Sequence, residues 1–298
     1  MTKPIRILLQ TTIPTTEDDW SIARFTLLRN YLSNWRDAAG NACYEVVARD
    51  REANENGDDP ILSHLHESDF DQLWLFAVDI GDGLSKNDCH GISEFRRRGG
   101  GMMVTRDHMD LGCSVCSLAG VGDAHYFHTK NLDPDSSRHC LDDPYTTDIL
   151  WPNYHSGRNG DYQRITPVEP IHDLLKNPDS PTGTIQFLPA HPHEGAVGIP
   201  ATAKRARVIA TGTSLVTQRD FNLAVAFERD RDEEGNGWGR AVAESTFHHF
   251  CDYNWNVALG CPSFVDEPPG NSMQTEPQAI ADLQAYIRNL AHWLTPAR

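Results

Sequence analysis

The chain has 298 residues, which is room for one large α/β domain with a substantial core. Apolar residues make up 39% and charged residues 23%, an ordinary globular composition that excludes wholesale disorder. The 26 Lys and Arg residues against 42 Asp and Glu residues give a formal charge of −16. A surface with this charge repels phosphate backbones, so we do not expect a nucleic-acid partner.

Membrane insertion and export are not expected either. No apolar run in the sequence approaches the ~20 residues that a membrane-spanning helix needs. The N-terminus has one short apolar run and then enters a polar turn, which does not read as a signal peptide. The expected location is therefore cytoplasmic.

The cysteines support the same compartment. There are seven, and an odd count without an export signal favours reduced thiols. Cys113 and Cys116 form a lone CxxC pair, whereas a structural zinc site would need a second pair. A thioredoxin-type motif would follow the first strand of its fold, and this pair lies in the middle of the chain. We interpret the cysteines as buried or incidental thiols.

The first 110 residues predict alternating strands and helices. The predicted strands are 5–10, 44–48, 70–78 and 102–105, with a short helical or irregular piece at 61–66. Helices are predicted from Glu17 to Gly40, with Thr16 as the cap, and from Ser85 to Arg98, where Ser85 and Asp88 resemble a capping box. This order predicts an α/β fold, a flavodoxin-like three-layer sandwich with a mostly parallel central sheet.

The rest of the chain adds a loop-rich region, further strands and a helix. Residues 112–181 are rich in Gly, Asp, Asn, His and Pro, which is typical of a functional loop or an insertion. Strand-like segments return at 183–188, 207–211, 223–227 and 240–243, and the last two predict a β-hairpin around the charged turn 228–238. Residues 276–294 predict a C-terminal helix with one apolar stripe. We predict a single domain over residues 1–298.

The strongest candidate site follows the fourth predicted strand. Ligands bind beyond the carboxyl ends of the strands in doubly wound sheets, and Asp107 and His108 stand at that point. No Cys or Ser is present there as a nucleophile, so we expect Asp107 and His108 to act as acid and base or as metal ligands. Alternatively, Asp107 caps a following helix and His108 packs beside it.

Histidines are the second signal, because neutral imidazole is a common metal ligand and a natural base. Several occur in tight groups, and the candidates that we select for substrate binding are His125, His128, His193, Glu194, His248 and His249. None of the groups matches a fixed zinc signature, so a divalent metal held by histidines is one hypothesis and polar loops are the other. Neither GxxxxGK[ST] nor a GxGxxG turn in a βαβ context occurs, so no nucleotide cofactor is predicted.

Four stretches of the chain are similar to a known family. They are 70–76 with Leu84-Ser85 and 95–104; 122–128; 165–175 ahead of His193-Glu194; and 223–227 with 237–243 and His248-His249. In this order they resemble the trehalose-utilisation (ThuA-like) family of the class I glutamine amidotransferase-like superfamily. The resemblance covers residue 5 to about residue 250 and implies the amidotransferase-like fold and a link to carbohydrate metabolism.

The chain departs from the family at positions that carry chemistry. Asp18-Asp19-Trp20 stands in place of the family's His-Asp after the first strand, and His108 lies two positions later than the family's elbow histidine. The glutaminase cysteine of the superfamily has no counterpart, and its His-x-Glu pair is matched only faintly by His193-Glu194. The resemblance therefore argues against glutamine hydrolysis.

Two functional hypotheses follow from these observations. The first is a cytoplasmic hydrolase or isomerase that acts on a polar, sugar-like small molecule, with Asp107 or His108 as acid or base. The second is a non-catalytic binding or assembly protein that retains the fold. An amidase or protease using Cys113 or Cys116 ranks below both. The predicted partner is a small molecule, and the sequence leaves a homo-oligomer open.

Overall fold

The computed structural model describes residues 3–139, 142, 146, 148–231 and 237–297. Cys140 and the centre of the predicted turn 228–238 lie outside the described residues. The strands are β1 (Ile5–Thr11), β2 (Tyr44–Arg49), β3 (Gln72–Phe76), β4 (Gly101–Thr105), β5 (His125–Tyr126), β6 (Tyr162–Arg164), β7 (Thr166–Pro167), β8 (Phe187–Pro189), β9 (Ala196–Val197), β10 (Ala206–Thr213), β11 (Asp220–Phe227), β12 (Asp230–Arg231), β13 (Gly237–Trp238) and β14 (Ala241–Glu244). The α-helices are α1 (Thr26–Ser33), α2 (Lys86–Arg97), α3 (Asp252–Trp255), α4 (Ser272–Thr275) and α5 (Pro277–Trp293).

The central sheet has eight strands in the order β2-β1-β3-β4-β14-β11-β10-β7. The first five of these run parallel to one another, and β11, β10 and β7 continue the sheet through antiparallel pairings. With β14 as its fifth strand, the parallel part has the 2-1-3-4-5 order of flavodoxin-like sheets. The prediction of an α/β fold with a mostly parallel central sheet is confirmed, and the sheet is mixed; the antiparallel pairing of the segments 223–227 and 240–243 is confirmed as well.

Alternate side chains of the strands divide the core into two layers, as the two-residue period of a strand requires. Ile7 and Leu9 of β1 belong to the cluster that contains Leu28 of α1 and Leu283 of α5. Leu8 belongs to the cluster on the opposite face, which contains Ile92 of α2. Helices therefore cover both faces, and the edge formed by the strand ends is left for a site.

The helix predicted from Glu17 begins later than the sequence indicates, at Thr26 after a 3₁₀ turn at Ile22–Arg24. One of the acidic residues that would start it is engaged by a distant partner instead. The carboxylate of Asp18 accepts a hydrogen bond from the backbone of Ser263 at 2.8 Å, and Ser21 has an extended backbone. Tertiary contacts thus override the local helical pattern.

The other predicted helices lie where the pattern places them. Helix α2 begins after Ser85, whose hydroxyl accepts from the backbone of Asp88 while the Asp88 carboxylate accepts from the backbone of Ser85, which completes the capping box. Helix α5 has Pro277 at its start and buries one apolar face. In the part of the chain that the structure describes, no helix combines the length and apolar composition needed to cross a bilayer.

The close approach of α2 to the preceding loop generates a prediction for Gly91. A Cβ at this position would lie 2.3 Å from the carbonyl oxygen of Leu62 and 2.5 Å from that of Ser63. Replacing Gly91 by Ala improves helix propensity by about 1 kcal/mol, but crowding of this kind costs about 1–3 kcal/mol. We therefore expect Gly91→Ala to lower the free energy of unfolding in urea. His90→Ala, on the exposed face of α2, is the control and is expected to leave stability within about 0.5 kcal/mol.

Candidate functional site

A cavity of about 310 Å³ lies beyond the carboxyl ends of the parallel strands, at the edge where open α/β sheets bind ligands. Asp107 and His108 follow β4, and His248 follows β14. The loop after α3 forms another wall with Phe264 and Glu267. Trp20, Leu111, Thr146, Ile149, Asn159, His191, His193, Val265 and Asp266 also line the cavity.

Asp107 lies at the centre of the polar groups in this cavity. Its Oδ1 accepts a hydrogen bond from Thr246 Oγ1 at 3.0 Å and lies 3.3 Å from Nε2 of His191. Its Oδ2 lies 3.1 Å from Nδ1 of His108 and 3.9 Å from Nε2 of His248. Three imidazoles therefore surround one buried carboxylate.

Two asparagines fix the orientation of His191 and His248. Nδ2 of Asn254 donates to the carbonyl oxygen of Ala190 at 2.8 Å, and because that oxygen can only accept, Oδ1 of Asn254 must face Nδ1 of His248, 2.9 Å away. The same Nδ2 donates to Oδ1 of Asn159 at 3.0 Å, and this oxygen lies 2.9 Å from Nδ1 of His191. Both Nδ1 atoms must therefore carry a proton, because each faces an acceptor.

Burial keeps the two rings neutral. It lowers the pKa of His191 to about 4, and burial together with the neighbouring His191 lowers the pKa of His248 well below its usual range. A neutral ring that is protonated on Nδ1 has a lone pair on Nε2. Burial opposes ionisation of Asp107, whereas positive charge on the adjoining His191 and His108 lowers its pKa well below the usual range. When His191 and His248 are neutral, their two Nε2 lone pairs face the carboxylate of Asp107.

The same three residues have the composition and spacing of a metal site. One ligand atom from each of Asp107, His191 and His248 lies within 4.8 Å of the others, and all three residues are buried. Two imidazoles and a carboxylate are ligands of zinc, iron and manganese. Metal-bound histidines usually donate their other N–H to an oxygen, as His191 and His248 do here. The group can therefore hold a divalent metal ion.

His108 and His193 provide groups for proton transfer beside this cluster. Their ring centroids are 5.5 Å apart, and both rings line the cavity. Nε2 of His193 lies 3.0 Å from Oε1 of Glu267, and this hydrogen bond is the main reason that the pKa of Glu267 falls to about 2. An imidazole oriented by an ionised carboxylate suits general acid–base chemistry.

The structure brings four of the predicted site residues into the cavity, namely Asp107, His108, His193 and His248. Glu194 and His249 lie behind it in a buried network. Ser156 and Ser245 donate hydroxyl hydrogen bonds to Glu194 at 2.5 and 2.7 Å, and Gln163 donates its amide to the same carboxylate. These residues hold the segment that carries His193 and do not themselves line the cavity.

His125 and His128 are not part of the cavity. A spacing of three residues would place them on one face if the segment were a helix. His125 instead lies in the strand β5 and is fully buried. Burial and the positive charge of Arg106 lower the pKa of His125 to about 3. His128 is partly exposed, and its Nδ1 lies 2.9 Å from the carbonyl oxygen of Trp151. We therefore assign both to packing.

The corner after β4 differs from a nucleophile elbow, which needs a helix directly after the strand. Here a turn with Met109 at φ 46° leads to a 3₁₀ helix at Cys113–Ser117. Burial raises the pKa of the Cys113 thiol, which disfavours the thiolate that a nucleophile requires. Asp107 bonds to Thr246 from a distant segment and does not cap a helix.

Sequence reasoning missed three residues that shape the site. His191 stands two residues before His193 in the same tight histidine group, and that group is the signal that could have selected both. Asn159 and Asn254 carry no such signal, because each meets its histidine only through the fold. Asn159 is 32 residues from His191 in the sequence, and Asn254 is 6 residues from His248. The two asparagines, which are hydrogen-bonded to each other, are 95 residues apart.

A buried cluster behind the cavity centres on His249. Its Nε2 lies 3.6 Å from Glu194 Oε2, and its Nδ1 lies 3.4 Å from Glu244 Oε2. Burial alone would lower the pKa of His249, but the two carboxylates outweigh it and raise the value to about 9. Tyr286 of α5 donates its hydroxyl to Glu244. The imidazolium thus supplies positive charge beside two buried acidic groups whose other partners named here are neutral hydroxyl and amide groups.

No protein-family model matches the chain, and no curated protein matches it. Among solved structures, it is similar to ThuA-like proteins from Parabacteroides merdae (16% identity, TM-score 0.48, covering 99% of this chain and 92% of that one) and Bacteroides uniformis (9%, 0.44, 99% and 93%). It is also similar to the glutaminase domain of CTPS from Trypanosoma brucei (13%, 0.45, 99% and 98%). These matches concern the fold alone.

The His249 cluster generates a prediction on stability and pH. Because the folded-state pKa of about 9 exceeds the ordinary 6.5, the imidazolium contributes its full stabilisation below pH 6.5 and loses it as the pH rises through 9. At pH 6 we expect His249→Gln to lower the free energy of unfolding by about 3–5 kcal/mol, because two buried carboxylates lose their cation. Urea titrations of both proteins should show this difference shrinking between pH 6.5 and 9. A difference that is constant with pH would contradict the assignment.

Proposed function

We propose that the chain is a metal-dependent enzyme of hydrolase or isomerase type that acts on a small polar molecule. Asp107, His191 and His248 hold a divalent metal ion in this proposal. The observation that carries it is the meeting of three acceptor atoms within 4.8 Å, with both imidazole N–H groups turned away toward asparagines.

A cation between its members would satisfy this group of acceptors. Lone pairs of His191 and His248 and the negative charge of Asp107 repel one another, and a metal ion or a hydrogen-bond donor between them relieves that repulsion. Burial disfavours a proton on either ring, because it lowers the pKa of both histidines. A divalent ion satisfies all three atoms without protonating either ring.

The surrounding residues would supply the remaining chemistry. A bound divalent ion polarises an oxygen atom and lowers the pKa of bound water. His108 and His193 would transfer protons at the substrate, and Glu267 would orient His193 through their 3.0 Å contact. The thiol of Cys113 has no part in this proposal, because burial disfavours its ionised form.

A sugar-like substrate fits the walls of the cavity. Trp20 and Phe264 provide apolar ring surface, and the histidines provide groups that bind hydroxyls. The volume of about 310 Å³ suits one sugar ring. The free cysteines among the described residues support the cytoplasm as the compartment.

The metal site is tested by metal analysis of the purified protein after reconstitution with zinc, iron or manganese. We expect about one ion per chain in the native protein and loss of binding in Asp107→Asn and His248→Ala. Asn254→Ala should weaken binding about 10–100-fold, because it removes the acceptor that orients His248. His128→Gln is the matched control and should bind as the native chain does. Equal loss in His128→Gln, or a native chain that binds no metal, would contradict the site.

The catalytic proposal is tested separately, by release of nitrophenol from a panel of nitrophenyl glycosides by the metal-loaded protein. His108→Gln should keep its metal and lose about 10²–10⁴-fold in kcat, the contribution of one acid–base group. Binding of a sugar without turnover by the native chain would favour the non-catalytic alternative. His128→Gln again serves as the control for folding and general activity.

A further inference from the structure

A second groove, of about 830 Å³, lies at the opposite end of the sheet from the cavity of Asp107. Its walls are the end of α2, the residue before β10, the residues around β12 and β13, and the chain after α5. The wall residues near β4 and β14 precede these strands and so lie at the amino ends of the strands. Asp107 and His248 follow the carboxyl ends of the same two strands. The groove is therefore separate from the proposed metal site.

The groove concentrates positive charge in an acidic chain. Its charged lining consists of five arginines and one acid, Asp230, although the whole chain has a formal charge of −16. The arginines are Arg97, Arg98, Arg205, Arg229 and Arg231. Chance placement on such a surface would instead give an excess of carboxylates.

Within the described part of the chain, most of these guanidinium groups have no carboxylate partner. Arg97 pairs with Glu94 one turn earlier in α2. Arg98 donates to the carbonyl oxygen of His66 at 2.9 Å, and Arg229 donates to that of Thr295, contacts that leave the positive charge in place. Among the described residues, no carboxylate forms an ion pair with Arg98, Arg205, Arg229 or Arg231.

A neighbouring cavity of about 370 Å³ shares Arg205, Arg231 and Trp238 with the groove and adds Arg96. The buried guanidinium of Arg96 donates to the carbonyl oxygen of Gly239 at 3.1 Å, and its Cζ lies 5.2 Å from the ring centroid of Trp238. Burial lowers the pKa of Arg96 to about 10. Burial and the charge of Arg240 likewise lower the pKa of Arg229. Both groups would gain from a nearby anion.

We propose that this groove binds a phosphorylated small molecule, with Arg205 and Arg231 as its principal contacts and Arg98 and Arg229 at its sides. The planar guanidinium fork donates two parallel hydrogen bonds to a phosphate, which makes arginine suited to this group. The groove has the volume of a small-molecule site. An extended nucleic acid would pass beyond the groove onto the negatively charged remainder of the surface, which repels its phosphates.

The test uses inorganic pyrophosphate as the probe and calorimetric titration of the full chain after chelator treatment. We expect saturable binding with one molecule per chain, and at least about tenfold weaker binding in the double variant Arg205→Gln/Arg231→Gln, which loses two charge-assisted contacts. The control is Arg29→Gln/Arg36→Gln, two exposed arginines in and after α1 that change the net charge equally. Asp107→Asn should bind as the native chain does, so failure of the metal site leaves this result unaffected.

Several outcomes would overturn the proposal. One is equal weakening in the control variant, which would indicate general charge attraction. Another is tighter binding of an oligonucleotide than of pyrophosphate, which would indicate a nucleic-acid surface. Residues 232–236 adjoin the groove in sequence, outside the described residues, and include Asp232, Glu233 and Glu234. Binding by Asp232→Asn/Glu233→Gln/Glu234→Gln but not by the native chain would mean that the chain neutralises its own groove.

Discussion

The hydrogen bond from Asn254 to the carbonyl oxygen of Ala190 determines how the candidate site is arranged. A backbone carbonyl cannot donate, so this bond sets which way the amide of Asn254 faces. The amide in turn sets the protonated nitrogen of His248 directly, and that of His191 through Asn159. The Nε2 lone pairs of His191 and His248 therefore face Asp107 because of a single backbone acceptor, and this arrangement does not depend on a bound ligand.

A second buried network supports the backbone that carries these histidines. Glu194 pairs with Tyr154 through two backbone hydrogen bonds of 2.8 Å, and its carboxylate accepts from Ser156 and Ser245. His249 then balances the charge of Glu194 from the other side. Burying this many polar groups is unfavourable unless each is paired. The network therefore fixes the segment in one arrangement, which a site with several convergent side chains requires.

The sequence predicts what depends on local pattern. The apolar run that predicts β1 as a buried strand and the capping box at Ser85 are both local, and both are found in the structure. Asp107 and His108 follow from the position of β4 alone, because its carboxyl end must open at the sheet edge. The role of His191 depends on contacts with Asn159 and Asp107, which are 32 and 84 residues away. Contacts this distant in the sequence produce no periodic pattern of residue types. The late start of α1 has the same origin, since Asp18 bonds to Ser263 across 245 residues.

The ligands proposed for the two ends of the sheet have opposite charge. At the carboxyl edge three acceptor atoms meet, and the proposed ligand is a cation. At the amino edge the guanidinium groups of Arg98 and Arg229 donate to backbone carbonyl oxygens and keep their charge, and the proposed ligand is an anion. The chain as a whole is acidic, so its net charge predicts neither preference. Local geometry decides both, because the interaction of a buried or half-buried charge is governed by the groups within a few ångströms, where solvent and salt screen it least.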